Sequence, residues 1–182
     1  MVKFTSKQKR ENKASLRFNK FKGAILQMNK KQKTCAFYAS DYHFEMISLP
    51  YINKKIEENK EIIILTENNL EQTIKTLISK MNLKEEKKKK IFEIDWKNND
   101  LNKFKKIKNK IEEEKEIIIF VKGKENYINN INKNIEKWTE KRNNVKIIDC
   151  YDMEEIGEKL DTIIEQYKMV LNTAGEKEIS KI

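Results

Sequence analysis

Two runs of consecutive apolar residues, Ile62-Ile63-Ile64-Leu65 and Ile117-Ile118-Ile119-Phe120-Val121, constrain this chain more than any other feature. Each is the length of a strand, and neither approaches the roughly 18 apolar residues that a membrane helix needs. A strand that is apolar on both sides must be covered on both faces, which is the environment of a parallel sheet with helices above and below. The segments between the runs carry apolar stripes at helical spacing, so strands and helices alternate.

In chain order, Thr34 to Tyr38 reads as a first strand, and Ser40-Asp41 reads as the N-cap of a helix over 41–59 with Phe44, Ile47, Tyr51 and Ile56 on its buried side. Pro50 should kink or restart that helix. Glu61 to Thr66 is the second strand. Asn68 or Asn69 caps a helix bearing Leu70, Ile74, Leu77, Ile78 and Met81, which runs into a solvated basic stretch, Lys87 to Lys90. Ile91 to Asp95 alternates as a third strand, 100–114 as a helix, Ile117 to Val121 as the fourth strand, and the stripe Tyr127, Ile131, Ile135, Trp138 as the next helix. Val145 to Asp149 is the fifth strand. A last helix carries Met153, Ile156, Leu160, Ile163, Ile164, Tyr167 and Leu171.

The pattern predicts an α/β fold, a three-layer, doubly wound, mostly parallel five-stranded sheet over residues 34–172, between a basic arm at 1–33 and a polar tail at 173–182. Cys35 near the start of the first strand and Cys150 just past the fifth should lie at opposite sheet edges, roughly 13 Å apart, too far for a disulfide. Without CxxC spacing or neighbouring histidines they suggest no zinc site either.

The formal charge of +10 is confined to one segment. Residues 1–33 hold eleven Lys/Arg and a single acid, Glu11, so the body is formally neutral. Within the arm, Ala14, Phe18, Phe21, Ile25 and Met28 share a helical face among basic residues, and Lys9, Arg10, Lys13, Arg17, Lys20 and Lys22 are the candidates for contacting nucleic acid or an acidic partner. The N-terminus lacks the apolar stretch of a signal peptide, and cytoplasmic residence is expected.

Open α/β sheets bind ligands beyond the C-terminal ends of their strands. There the first loop reads Tyr38-Ala39-Ser40-Asp41, with neither the glycines nor the lysine of a P-loop, and no two of the four glycines, at 23, 123, 157 and 175, are close enough for a dinucleotide motif. Asp41 would repel a phosphate at that helix start. Nucleotide hydrolysis and dinucleotide chemistry are therefore disfavoured, and no cofactor, metal ion or catalytic residue is implied. The candidate ligand-binding residues are Ser40, Asp41 and His43 after the first strand, Thr66 and Asn68 after the second, and Lys122, Gly123 and Lys124 after the fourth, where two bases flank a glycine at a helix start. His43 is the one histidine, and an enzyme built on Ser40, Asp41 and His43 would require those side chains to converge.

The stretch Cys35-Ala36-Phe37-Tyr38-Ala39-Ser40, the helix interrupted at Pro50-Tyr51 and the run Glu58-Asn59-Lys60-Glu61-Ile62-Ile63-Ile64-Leu65-Thr66 together resemble the MEDS family, a sensory domain of methanogens and methylotrophs also found in bacterial regulators and kinases. The resemblance implies a RecA-like fold without a P-loop that serves ligand sensing or signal transduction. Gln32-Lys33-Thr34 stands where that family often has glycine and histidine, and Lys55-Ile56 where it has Gly-Leu, so no ligand or catalytic residue carries over. The expected function is a non-catalytic regulatory domain that binds a small ligand or a protein partner, with nucleic-acid binding through the arm as the alternative.

Overall fold

The computed structural model describes residues 33–97, 104–105, 115–139 and 142–179. Six strands form one mixed sheet: β1 (Lys33–Tyr38), β2 (Glu61–Thr66), β3 (Ile117–Gly123), β4 (Val145–Asp152), β5 (Met169–Asn172) and β6 (Gly175–Glu178), in the order β2-β3-β4-β1-β5-β6. The first five in that order pair in parallel, and β6 pairs antiparallel to β5. The basic-arm residues Lys9, Arg10, Lys13, Arg17, Lys20 and Lys22 lie outside the described residues, as does most of the helix expected at 100–114. Phe104 and Lys105 are helical, and Phe104 packs edge-on against Trp138.

Alternation along the strands divides the core in two. One face presents Ala36, Tyr38, Ile64, Ile118, Phe120, Ile148, Cys150 and Leu171 to α1 (Asp41–Glu57), α2 (Glu71–Lys80) and α3 (Glu85–Glu93). The other presents Cys35, Ile63, Leu65, Ile119, Val121, Ile147 and Tyr151 to α4 (Glu125–Thr139), α5 (Met153–Ile156) and α6 (Leu160–Ile164). β3 is buried at every position, as its unbroken apolar run requires.

Ser40 caps α1 as expected, its hydroxyl accepting a hydrogen bond from the His43 N–H at 3.1 Å. Pro50 does not restart the element, and α1 is continuous through it. Pro50 faces solvent, where water can hydrate the carbonyl left without its usual partner. The helix closes with Asn59 in a left-handed conformation (φ 58°) and the Lys60 N–H bonded to the Lys55 carbonyl.

Three sequence expectations fail. Residues 91–95 are no strand: Glu85 to Glu93 form α3, whose acids Glu85 and Glu86 sit at its N-terminus and whose Lys90 lies in its last turn, an arrangement that complements the helix dipole. Lys88 pairs with Glu85, and Lys90 with Glu86. Ile91 enters the core, and the Trp96 indole N–H donates to the Ile91 carbonyl at 2.9 Å.

The helix expected up to Leu171 ends at Ile164, and Leu171 instead belongs to β5. What looked like a tail then turns through Thr173 and Ala174, with Gly175 at φ 98°, into β6.

The cysteines are not at opposite edges. β4 continues to Asp152, which brings Cys150 opposite Ala36 and Asp149 opposite Cys35. Cys35 and Cys150 are both free and buried because neighbouring positions on adjacent strands point to opposite faces.

Candidate functional site

β1 is where the winding reverses. The chain leaves it for the far edge at β2, steps back through β3 to β4, then crosses β1 to reach β5. The segments after β1 and β4, which are paired neighbours, start helices on opposite faces, and such a divergence opens a crevice at the C-terminal ends of the strands.

The residue that defines this edge is Lys122. It is 1% exposed although its ammonium is charged, and it lies at the end of β3 on the α1 face. Its Nζ donates to Asp41 Oδ1 at 2.7 Å and lies 4.6 Å from the centre of the Tyr38 ring and 5.5 Å from that of Phe44. A buried ammonium needs a counter-ion, and the first turn of α1 supplies it. Aromatic faces add cation–π stabilisation of roughly 1–2 kcal/mol at a desolvated site.

Beside this pair lies Glu45, 2% exposed, with Oε1 buried and without a hydrogen-bond partner. Burial pushes its carboxyl above the usual range and the Asp41 charge adds to that, while a hydrogen bond with Thr73 and the Lys122 charge oppose it. One turn further, the Ser48 hydroxyl is also buried and unpartnered. Burial also raises the Tyr38 phenol, with further contributions from Asp152, Cys150, Asp41 and Glu67. Those three carboxylates thus surround the end of β1.

Glu67 reaches across from the loop after β2. Its Oε2 accepts the Lys124 backbone N–H at 2.9 Å, and a Cβ on Gly123 would come within 2.9 Å of that same oxygen and 2.7 Å of Tyr127. The loop expected to cradle an external anion therefore already holds the chain's own carboxylate. The Lys124 ammonium pairs with Glu155 at 2.8 Å, which raises its pKa.

Of the residues singled out from sequence, Asp41 and Lys122 are joined directly, and Gly123 and Lys124 meet at Glu67. Ser40 and His43 act on the backbone: the His43 Nδ1 accepts the Ala39 N–H at 3.2 Å. Ser40, Asp41 and His43 consequently each face a different partner and do not form a proton-transfer group. Thr66 is fully buried and bonds both ways with Asn68, its hydroxyl donating to the carbonyl and accepting the N–H, while the Asn69 side chain accepts the Glu71 N–H.

Glu45 and Ser48 escaped sequence reasoning. Between Tyr42 and Asn53 the sole charged residue is Glu45, and its position between Phe44 and Ser48 on the core-facing arc was the available signal. Two clefts, of about 370 and 280 Å³, lie elsewhere, one between α2 and the end of α3 beside Phe92 and Trp96, the other at the N-terminal end of β2 beside Lys60 and Lys115. Neither contains the buried charge that sets the strand-end site apart. No family model, curated protein or solved structure matches this chain.

Proposed function

We propose that the chain is a non-catalytic sensory or regulatory domain, RecA-like as the MEDS resemblance implies, that binds a small polar ligand at the C-terminal edge of the sheet. The reading is carried by Lys122, a buried cation at the C-terminal end of β3 whose ammonium reaches the Tyr38 ring at the end of β1, with the unpartnered carboxyl oxygen of Glu45 beside it. A ligand offering N–H or O–H groups satisfies Glu45 and Ser48. The carboxylates of Asp41, Glu67 and Asp152 disfavour a phosphate-rich ligand at the same place. Ligand occupancy would act through α1 and the loop after β2, which contribute Asp41 and Glu67.

The test is a thermal-shift screen of the full chain against amines, polyols, amino acids and nucleotides, since a compound that binds only the folded state raises its apparent stability. Compounds that shift the parent protein should fail to shift Lys122→Met and Glu45→Gln. Shifts unchanged in both variants, or turnover of ATP or GTP that is lost on changing Lys122 and Lys124, would overturn the proposal.

A second reading rests on the separation of charge, with the whole excess in residues 1–33. It makes the arm a nucleic-acid-binding element, whose binding must weaken steeply with salt and vanish when the arm is deleted.

A further inference from the structure

Asp149 lies on the opposite side of the sheet from Lys122, near the middle of β4, and it is completely buried. Its Oδ2 accepts two hydrogen bonds, one from the Tyr167 hydroxyl at 2.6 Å and one from the Asn132 amide Nδ2 at 2.9 Å. Its Oδ1 has no partner, and the buried Oδ1 of Asn132 has none either. Two side chains already joined through one pair of atoms thus each keep an unpartnered acceptor. Two acceptors cannot satisfy one another unless a proton stands between them, and each unmet buried acceptor costs about 1–3 kcal/mol.

We propose that Asp149 is held in the folded protein as the neutral carboxylic acid, with its proton on Oδ1 donated to Oδ1 of Asn132. Acid and amide then face each other through two hydrogen bonds, Nδ2–H to Oδ2 and Oδ1–H to Oδ1, and both unpartnered atoms are satisfied together. An Asp that is ionised in the unfolded chain takes up this proton from water as it folds.

The surroundings favour the neutral form. From β4 and the end of the α6 segment come the phenols of Tyr151 and Tyr167, which share a hydrogen bond of 2.8 Å and are both held neutral by burial. From β1 comes the Cys35 thiol, pushed by burial up to about 12 and so also uncharged at neutral pH. β3 contributes the apolar Val121 opposite Asp149, and α4 contributes Ile128, Ile131 and Ile135 around Asn132. Among the described residues Lys33 is the cation that acts on Asp149, and burial outweighs it, leaving the carboxyl raised.

The proton is a clamp. Asn132 lies on α4 and Tyr167 follows α6, so the neutral acid ties two covering segments to the central sheet. α4 starts at Glu125, directly after Lys124, so the clamp also fixes the helix that carries the Lys122 to Lys124 loop. The folded pKa is raised, so the stabilisation is complete below the unfolded value and is lost as pH rises through the folded one.

The experiment compares infrared spectra of the full chain and Asp149→Asn in D₂O at neutral pH. The difference spectrum should contain the carbonyl stretch of one protonated carboxylic acid, absent from the variant. Asparagine has the shape and the donor of the neutral acid, so Asp149→Asn should keep its folding constant within about tenfold of the parent at pH 6 and unfold relatively less than the parent at pH 9. A difference spectrum carrying only the ionised carboxylate bands overturns the proposal, whether water or a cation then sits between the oxygens. So does a loss of more than about a hundredfold in the folding constant of Asp149→Asn at both pH values, because an ion-specific role would then be required.

Discussion

At the scale of single residues, the Lys122–Asp41 pair is unequal. Lys122 is buried and Asp41 is partly open to solvent. Asp41→Ala therefore strands a buried ammonium and should cost about 2–4 kcal/mol. Lys122→Met leaves a carboxylate that water can solvate and fills the same space, so its cost should be about 1 kcal/mol or less. Urea unfolding of the two variants measures the difference, and equal losses would show that burial of the lysine does not set the energetics. Glu45 gives a pH signature. Its folded carboxyl is raised, so the protein binds this proton more tightly than the unfolded chain does. Stability from this group is present below the ordinary glutamate value and declines as pH rises through the raised one. Glu45→Gln should flatten that decline in denaturant midpoints measured from pH 4 to 8. The part of the site legible in sequence was the pair of loops bearing Asp41 and Lys122, because strand ends announce where ligands bind. Glu45 was not, since a lone acid within a helix ordinarily faces water and only tertiary packing turned it inward.

At the scale of elements, α1 carries a proline in mid-course without breaking, which leaves the Met46 carbonyl without a helical donor. Pro50→Ala restores that hydrogen bond at an exposed position and should stabilise the protein by about 1 kcal/mol, part of the gain being offset by a freer unfolded chain. Thermal unfolding is the check. The same scale shows why the strand rhythm was only partly readable. Ile117 to Val121 could be nothing but a covered strand. Ile91 to Asp95 alternates over five residues, too short a window to outweigh the helical signal of Glu85-Glu86 followed by lysines. Leu171 continued a helical spacing begun at Met153, and periodicity alone could not reveal that Gly175 would close a hairpin there.

At the scale of the whole molecule, one carboxylate adds a side-chain tie between the β5–β6 hairpin and the rest of the sheet, beside the backbone pairing of β5 with β1. Glu176 accepts from the Thr34 hydroxyl at 2.6 Å and from the Lys146 ammonium at 2.5 Å, so β6 is linked to β1 and β4 across β5. Glu176→Ala should cost about 1–3 kcal/mol and speed hydrogen exchange in β5 and β6, while amides of β3 and β4 stay protected. Uniform acceleration across the sheet would contradict a local fastening. The strand order has a kinetic side as well. β1 is synthesised before the other five strands, yet its two neighbours are β4 and β5, with Lys33 set against Ile147 and Thr34 against Met169. Such distant closures make folding slow, and until residue 152 has emerged the strand destined for the centre has no edge to join. Cys35 to Tyr38 therefore stays without either sheet neighbour while β2 and β3 are made, which leaves this apolar segment open to misplaced strand pairing.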